Sequence, residues 1–315
     1  MVTENDNLSV LGYSIGLESD RRILDLIGNT AGFILPEVSF GNYGKRVGHI
    51  KVFPSEKDVF SDLGDGRYVL EGGYGINQLA MDSIMLSSRI LEKSLVDDGM
   101  YSFHSSAISN GKEVVILGGG SSSGKTTTSV NSCLCFPNDI SIYSGDRTIL
   151  KGCKALAGTK KFHMRVGSIA YEMPELQNYI IPKETETPWD KIELVEPEKI
   201  GIHTDSGERD VKCFVYLRRG AHKKKIERIR DDRALLRLHD SVCHFSDSYP
   251  NMILGQRQPI NIHISGQKMK ERIDYISSLF KEIPVLTVSG DLQEMTKSVT
   301  ELLMNGDEYE KYIKK

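Results

Sequence analysis

The 315-residue sequence has few cysteines, a single tryptophan and no long apolar run. Its five cysteines are spaced irregularly, which argues against a disulfide framework and a zinc-binding pattern and predicts reduced thiols. No stretch approaches the roughly 20 apolar residues of a membrane-spanning helix, and the polar first residues lack a signal-peptide pattern. These absences predict a cytoplasmic protein that has no membrane partner.

An excess of charge of one sign is also missing. The chain carries 40 Lys and Arg against 43 Asp and Glu, a formal net charge of −3. Such a balance creates no broad positive field, so we expect no nucleic-acid partner. Hydrophobic residues make up 39% of the chain, which is enough for a packed core, and the length allows two domains.

One stretch carries the strongest functional signal. Residues 114–117 (VVIL) predict a short buried strand, and a glycine-serine loop follows it. From Gly119 the spacing is G-x-x-x-x-G-K-T, the phosphate-binding P-loop. A chance glycine-serine turn is the plain alternative, and the complete motif after a strand disfavours it. The sequence therefore predicts a site for a nucleoside triphosphate, with ATP and Mg²⁺ as cofactors.

The residue types of the loop suit this chemistry. Glycines let several backbone N–H groups converge on a phosphate, and the next helix adds its positive N-terminal end. Lys125 is expected to reach the β- and γ-phosphates, and the Thr126 hydroxyl is expected to hold Mg²⁺. The predicted nucleotide-binding residues are Gly119, Gly120, Ser121, Ser122, Ser123, Gly124, Lys125, Thr126 and Thr127.

Residues 1–97 are predicted to form a small domain of their own. Residues 11–17 alternate like a strand, and glycine-punctuated segments at residues 40–44, 48–53 and 66–71 predict short antiparallel strands with tight turns. Helical spacing marks residues 20–27 and 76–96. We therefore predict a smaller, β-rich α+β domain over residues 1–97, with substrate docking as an open role, and a P-loop domain over residues 98–315.

The P-loop domain is predicted to alternate strands and helices. An Asn110-Gly111 turn should join two strands into a hairpin that leads into the P-loop. Further strands are expected at residues 139–147, 211–217 and 283–288, and helices at residues 126–135, 226–238 and 291–304.

Asp146 follows the strand that comes after the P-loop helix. An acid at this position can hold Mg²⁺ or accept a proton from an attacking hydroxyl, and the alternative is an ordinary Gly-Asp turn. Other charged residues stay open between phosphate binding and a solvated surface, namely Lys160, Lys161, His163, Arg165, Arg218 and Arg219. Residues 180–201 are rich in Pro and Glu and predict an excursion or lid, in which Trp189 is expected to be a packing anchor.

The combination of these features resembles the HPr serine kinase family. The residues that carry the resemblance are His104 within FHSSA, the strand at 113–117, the P-loop and the Ser-Gly-Asp ending at Asp146. It covers about residues 98–300 and implies a phosphoenolpyruvate carboxykinase-like P-loop kinase fold that phosphorylates a serine hydroxyl. Relatives with this layout include kinases encoded beside peptide natural products, and the N-terminal region resembles theirs more than that of the bacterial HPr kinases.

The resemblance also implies roles for individual residues. Asp146 would be the acid beside the acceptor hydroxyl with His104 close to it, Lys125 would complete the catalytic set, and Thr126 and Asp146 would hold the metal. Family members commonly have Asp-Asp where this chain has Gly145-Asp146, so one carboxylate is missing, and Glu172 or Glu175 could replace it. The glycine-rich segment of the bifunctional HPr kinase/phosphorylases is not found, which argues against HPr as the substrate. The family's members are often homo-oligomers.

Two classes of function follow. The first is a kinase that transfers the γ-phosphoryl group of ATP to a hydroxyl of a peptide, a protein or a serine-like small molecule, with natural products, nucleosides and sugars as further acceptors. The second is a nucleotide-dependent switch or ATPase without an acceptor, although the Asn-Lys-x-Asp and Leu-Ser-Gly-Gly-Gln signatures are absent. A nucleotide binder that has lost turnover is a third reading, prompted by the missing carboxylate.

Overall fold

The computed structural model describes residues 4–41, 44–180, 185–220, 224–229, 232–244, 252–254, 258–260 and 262–305. The chain divides into two compact units. The first comprises Met1–Ser102 with Val242–Arg272, and the second comprises Phe103–Ser241 with Ile273–Lys315. Val242–Arg272 thus groups with the first unit, whereas the sequence placed it in the second domain. Within the first unit, the Asp82 carboxylate of α2 accepts a hydrogen bond from the backbone N–H of Leu254 at 2.8 Å.

The strands, in chain order, are β1 (Glu4–Val10), β2 (Tyr13–Ser19), β3 (Ser39–Phe40), β4 (Lys45–Pro54), β5 (Val59–Asp62), β6 (Arg67–Gly72), β7 (Tyr101–His104), β8 (Ser106–Ser109), β9 (Glu113–Gly118), β10 (Ser141–Ser144), β11 (Arg147–Lys151), β12 (Lys154–Gly158), β13 (Phe162–Arg165), β14 (Ile192–Val195), β15 (Arg209–Arg219), β16 (Lys225–Arg228), β17 (Met252–Ile253), β18 (Gln258–Pro259) and β19 (Val285–Gly290). The α-helices are α1 (Arg21–Thr30), α2 (Ile76–Asp97), α3 (Lys125–Cys135), α4 (Asp232–Cys243), α5 (Gly266–Glu282) and α6 (Leu292–Met304). The chain is a mixed α/β protein, as the sequence predicts.

The first unit is built on a six-stranded sheet with the order β3-β1-β2-β4-β6-β5. Strands β2, β4 and β6 run parallel to one another, and the outer strands pair antiparallel. The prediction of antiparallel strands at residues 48–53 and 66–71 was therefore wrong in direction, because β4 and β6 are parallel. Residues 42 and 43 of the predicted segment 40–44 lie outside the described residues. Strand β5 lies between β4 and β6 in the chain and pairs antiparallel with β6, so β6 returns parallel to β4 instead of forming a hairpin with it across a tight turn.

The second unit is built on a nine-stranded sheet in which β15 pairs parallel with both β9 and β19. The predicted hairpin is confirmed, because β8 and β9 pair antiparallel across the turn that contains Asn110 and Gly111. Strand β9 is fully buried from Val114 to Leu117. Apolar residues of β9, β15 and β19 pack in one core with residues of α3 and α6. This core fixes the end of β9, which is where the P-loop begins.

Two further segments differ from expectation. The predicted helix at 226–238 begins only with α4 at Asp232, because residues 225–228 form β16, which pairs antiparallel with β19 and places Ile226 against the core. Part of the predicted lid, residues 181–184, lies outside the described residues. The remainder of that lid contributes β14, which pairs with β13. Across the ranges described above, no helix is both long enough and apolar enough to cross a membrane.

Candidate active site

The loop between β9 and α3 forms the predicted cradle. Gly119, Ser122 and Gly124 have positive φ angles of 140°, 62° and 95°, which curl the backbone between the strand and the helix. A Cβ atom on Gly119 would lie 2.5 Å from the Ser123 Oγ, so this position requires glycine. Helix α3 then begins at Lys125 and directs its positive N-terminal end toward the loop.

Lys125 is folded over the loop that precedes it. Its Nζ donates hydrogen bonds to the carbonyl oxygens of Gly119 at 2.8 Å and of Gly120 at 3.4 Å. Burial lowers the pKa of Lys125, and the negative charge of Asp146 acts in the opposite direction. The ammonium group is thus held at the floor of the site, where a phosphate oxygen can replace the carbonyl partners.

Asp146 and His104 form a hydrogen-bonded pair beside the loop. Asp146 lies in the turn between β10 and β11, and its Oδ1 is 3.1 Å from Nε2 of His104 at the end of β7. The turn is fixed because the hydroxyl oxygen of Thr159 accepts hydrogen bonds from the N–H groups of Asp146 at 2.9 Å and Arg147 at 3.1 Å. Burial by itself would raise the pKa of Asp146, but the hydrogen bond and charge of His104, with the charges of Lys125 and His163, hold it below its usual value. The carboxyl group is therefore ionised at neutral pH.

A single cavity brings the predicted residues together. It is lined by residues 120–127 of the P-loop and by His104, Asp146, His163, Arg165, Trp189 and Arg219. The cavity thus contains the proposed nucleotide-binding residues and the proposed acid at once. Gly119 is the one predicted nucleotide-binding residue that does not line the cavity, and its carbonyl oxygen accepts the hydrogen bond from Lys125.

Two arginines approach the loop from other elements. Arg165 of β13 donates from Nη2 to the Ser121 Oγ at 3.2 Å and from Nη1 to the backbone carbonyl of Trp189. Arg219, at the end of β15, forms an ion pair with the carboxylate of Glu172. Both guanidinium groups border the cavity, where they can contact phosphate oxygens.

The neighbouring lysines are engaged elsewhere. Lys160 donates from Nζ to the backbone carbonyl of Tyr143 at 2.9 Å, and Lys161 pairs with Glu196 at 2.7 Å. Of the four charged candidates at residues 160–165, the structure therefore brings only His163 and Arg165 to the cavity.

The absence of a second carboxylate at position 145 has a steric explanation. A Cβ atom on Gly145 would lie 2.7 Å from both the carbonyl oxygen of Lys161 and the Cβ of Phe162, so no side chain fits there. Neither suggested replacement lines the cavity, because Glu172 is nearly buried beside Arg219 and Glu175 is exposed. Asp146 is thus the only carboxylate among the described residues that line this cavity.

The arrangement is compatible with a metal held jointly by protein and nucleotide. Within the described ranges, no group of three or more His, Cys, Asp or Glu is placed to hold a metal ion. Thr126 and Asp146 nevertheless border the same cavity, and Mg²⁺ commonly takes its remaining ligands from water and substrate phosphates. The predicted pair Thr126 and Asp146 therefore suits Mg²⁺ bound together with a triphosphate.

The close packing at Gly145 leads to a testable expectation. Replacing Gly145 with aspartate should lower the free energy of unfolding by about 1–3 kcal/mol, because the new side chain is forced against the backbone of Lys161. Denaturant unfolding measures the change. Gly266→Asp is the matched control, since a Cβ atom there has no heavy atom within 4 Å. A Gly145→Asp protein as stable as the wild type would show that this turn can accommodate a second carboxylate.

Comparison with known proteins adds no assignment. No protein-family model matches the chain, and no curated protein matches its sequence. The likeness to the HPr serine kinase family therefore rests on the motif residues alone.

Proposed function

We propose that the protein is an ATP- and Mg²⁺-dependent kinase of the HPr serine kinase-like type, with the phosphoenolpyruvate carboxykinase-like P-loop fold. The acceptor is a hydroxyl group, most readily a serine of a peptide or protein. The observation that carries this proposal is the position of the Asp146–His104 pair in the same cavity as Lys125 and the P-loop. A phosphate-binding loop opposite an ionised carboxylate is the arrangement that phosphoryl transfer to a hydroxyl requires.

The residues of the site fit a triphosphate. Lys125, Arg165 and Arg219 bring three cationic side chains to the cavity against the one carboxylate of Asp146. Within the described structure, the Ser123 Oγ is buried without a hydrogen-bond partner, as is expected of a polar group that lines an anion site. These cations and the N-terminal end of α3 would hold the phosphates, and Thr126 with Asp146 would hold Mg²⁺.

The chain's own groups can carry the proton and the charge. As the acceptor oxygen bonds to the γ-phosphorus, its proton passes to the Asp146 carboxylate, and the bond to the β-phosphate oxygen breaks to release ADP. His104 keeps the carboxylate oriented through the 3.1 Å contact. Lys125 and Arg165 lie where negative charge grows on the phosphates, so they stabilise the transition state electrostatically. Bound Mg²⁺ supplies further neutralisation of the phosphate charge.

A transfer assay tests this proposal. The protein is incubated with γ-labelled ATP, Mg²⁺ and a panel of free serine, free threonine, nucleosides, sugars, an HPr-like protein and short serine peptides. We expect label on one acceptor class and its loss when EDTA removes the metal. Release of ADP with every acceptor unlabelled would overturn the kinase and favour the nucleotide-dependent switch.

A further inference from the structure

One face of the two-stranded sheet β13–β14 borders the cavity and extends beyond it. The two strands pair antiparallel, with His163 opposite Leu194 and Arg165 opposite Ile192. Directly opposed residues point to the same face of a sheet. The face that brings His163 and Arg165 to the cavity therefore also carries Ile192 and Leu194, which are 54% and 52% exposed.

Two aromatic residues extend this apolar surface. Trp189 lines the cavity, is 43% exposed and packs over Gly167, where a Cβ atom would lie only 2.5 Å from the indole ring. Tyr171, which is 69% exposed, stacks with Trp189 at 6.2 Å between ring centroids. We name the surface formed by Tyr171, Trp189, Ile192 and Leu194 the apolar rim.

The apolar rim lies on the acceptor side of the site. His163 belongs to the same face of this two-stranded sheet, and it lines the cavity together with Asp146. The rim thus begins next to the group that must meet the acceptor hydroxyl. Any acceptor that reaches Asp146 through this opening passes Ile192 and Trp189, which line the cavity themselves.

We propose that the apolar rim binds the acceptor as an extended polypeptide segment with large apolar side chains two residues before and two residues after the phosphorylated serine, on the same face as its hydroxyl. This inference rests on the proposed kinase function and specifies its substrate class. Polar acceptors such as sugars offer no apolar surface to cover side chains that are more than 40% exposed around the site. An extended segment does so, because its alternate side chains project to one face at the spacing of Ile192 and Leu194.

The sheet β13–β14 can also bind the backbone of a peptide. Among the described strands, β14 pairs only with β13, so its second edge has no strand partner. A free strand edge can accept an added peptide strand, whose backbone hydrogen bonds give affinity while side-chain contacts give selectivity. A serine peptide added along β14 would place the side chains two residues from the serine beside Ile192 and Leu194, on the face that carries the cavity residues.

Fluorescence tests this surface independently of catalysis. Trp189 is the only tryptophan of the chain, so intrinsic emission reports on the rim itself. Two peptides of equal length are titrated, one with Leu-Gly-Ser-Gly-Phe at its centre and one with Gly-Gly-Ser-Gly-Gly. We expect the first to shift the emission to shorter wavelength and to bind about tenfold more tightly, because its side chains bury apolar area against the rim.

Variants assign the effect to the rim. Leu194→Ser and, separately, Ile192→Ser should weaken the binding of the Leu-Gly-Ser-Gly-Phe peptide by roughly fivefold to tenfold, in line with the loss of one buried aliphatic contact. Leu236→Ser is the matched control and should leave the affinity unchanged, because this leucine of α4 is 62% exposed and does not line the cavity.

The outcomes separate the surface from the kinase. Equal affinity for the two peptides, no binding of either, or wild-type affinity in both rim variants would overturn the apolar rim, whether or not a hydroxyl is phosphorylated. Selective binding that depends on Leu194 supports the rim even if no label is transferred, and in that case only the kinase proposal fails. Labelling of a small polar acceptor without peptide binding would retain the kinase and refute the peptide surface.

Discussion

Replacing Asp146 with asparagine is expected to reduce phosphoryl transfer by about 10²- to 10⁴-fold while ATP binding is retained. Asparagine keeps the shape of the side chain and can still contact His104, but it cannot accept the proton of the acceptor hydroxyl. The P-loop, Lys125 and Thr126 are untouched by this change, and the amide oxygen of asparagine can still act as a ligand of Mg²⁺. Initial rates of label transfer at saturating ATP, together with an ATP titration followed by Trp189 fluorescence, measure the two effects separately.

Asp139→Asn provides the control for this experiment. Asp139 is exposed and precedes β10 without lining the cavity, so its replacement removes a carboxylate of the same type at no cost to the site. Its transfer rate should equal that of the wild type. An Asp146→Asn protein that transfers phosphate at the wild-type rate would show that Asp146 is not the proton acceptor.

Replacing Lys125 with methionine should weaken ATP binding by about 10- to 150-fold, the effect of losing a charge-assisted hydrogen bond to phosphate. The nucleotide-free protein should remain folded, because methionine keeps the apolar stem and removes a charge that burial already disfavours. Isothermal titration with ATP and Mg²⁺ measures the affinity, and thermal unfolding without nucleotide measures the stability.

Lys112→Met separates the local effect from a change in net charge. Lys112 is an exposed lysine in the turn between β8 and β9, outside the cavity, and its replacement should leave ATP affinity unchanged. Equal affinities of the Lys125→Met protein and the wild type would mean that phosphates bind elsewhere than in the loop.

The parts of the site that the sequence predicts well are contiguous in the chain. Strand β9, the glycine-serine loop and helix α3 follow one another, and each is specified by local residue types. The helix at 76–96 was predicted for the same reason, since α2 displays a regular apolar face. Local patterns also placed Asp146 at the end of a strand, where it lies in the turn after β10.

Strand pairing could not be predicted in the same way. The alternation of β2, β4 and β6 is the same in parallel and antiparallel sheets, so the sequence did not reveal that these strands are parallel. The mixed charges of residues 226–238 gave no sign of strand β16. This strand forms by pairing with β19, which lies far away in the sequence, as the pair Arg228 and Leu286 shows. Such pairings depend on tertiary contacts that local propensity does not encode.

The side of the cavity formed by β13 and β14 was predicted only in part, because Arg165 was left open between phosphate binding and a solvated surface and Ile192 was not singled out. Arg165, Ile192 and Trp189 reach the site only because β13 and β14 pair. The alternation of apolar and polar residues at 162–165 was a usable signal for β13, but no sequence pattern linked it to residues 192–195. Trp189 was expected to be a packing anchor, and it does pack on Gly167, yet it also lines the cavity.

The stoichiometry of one reaction tests the central proposal most directly. ADP, free phosphate and phosphorylated acceptor are quantified together in a reaction of the wild-type protein with ATP, Mg²⁺ and the best acceptor of the panel. A kinase should form one phosphorylated acceptor for each ADP, with little free phosphate. ADP matched by free phosphate, with the acceptor unmodified, would contradict phosphoryl transfer and identify the protein as a nucleotide hydrolase.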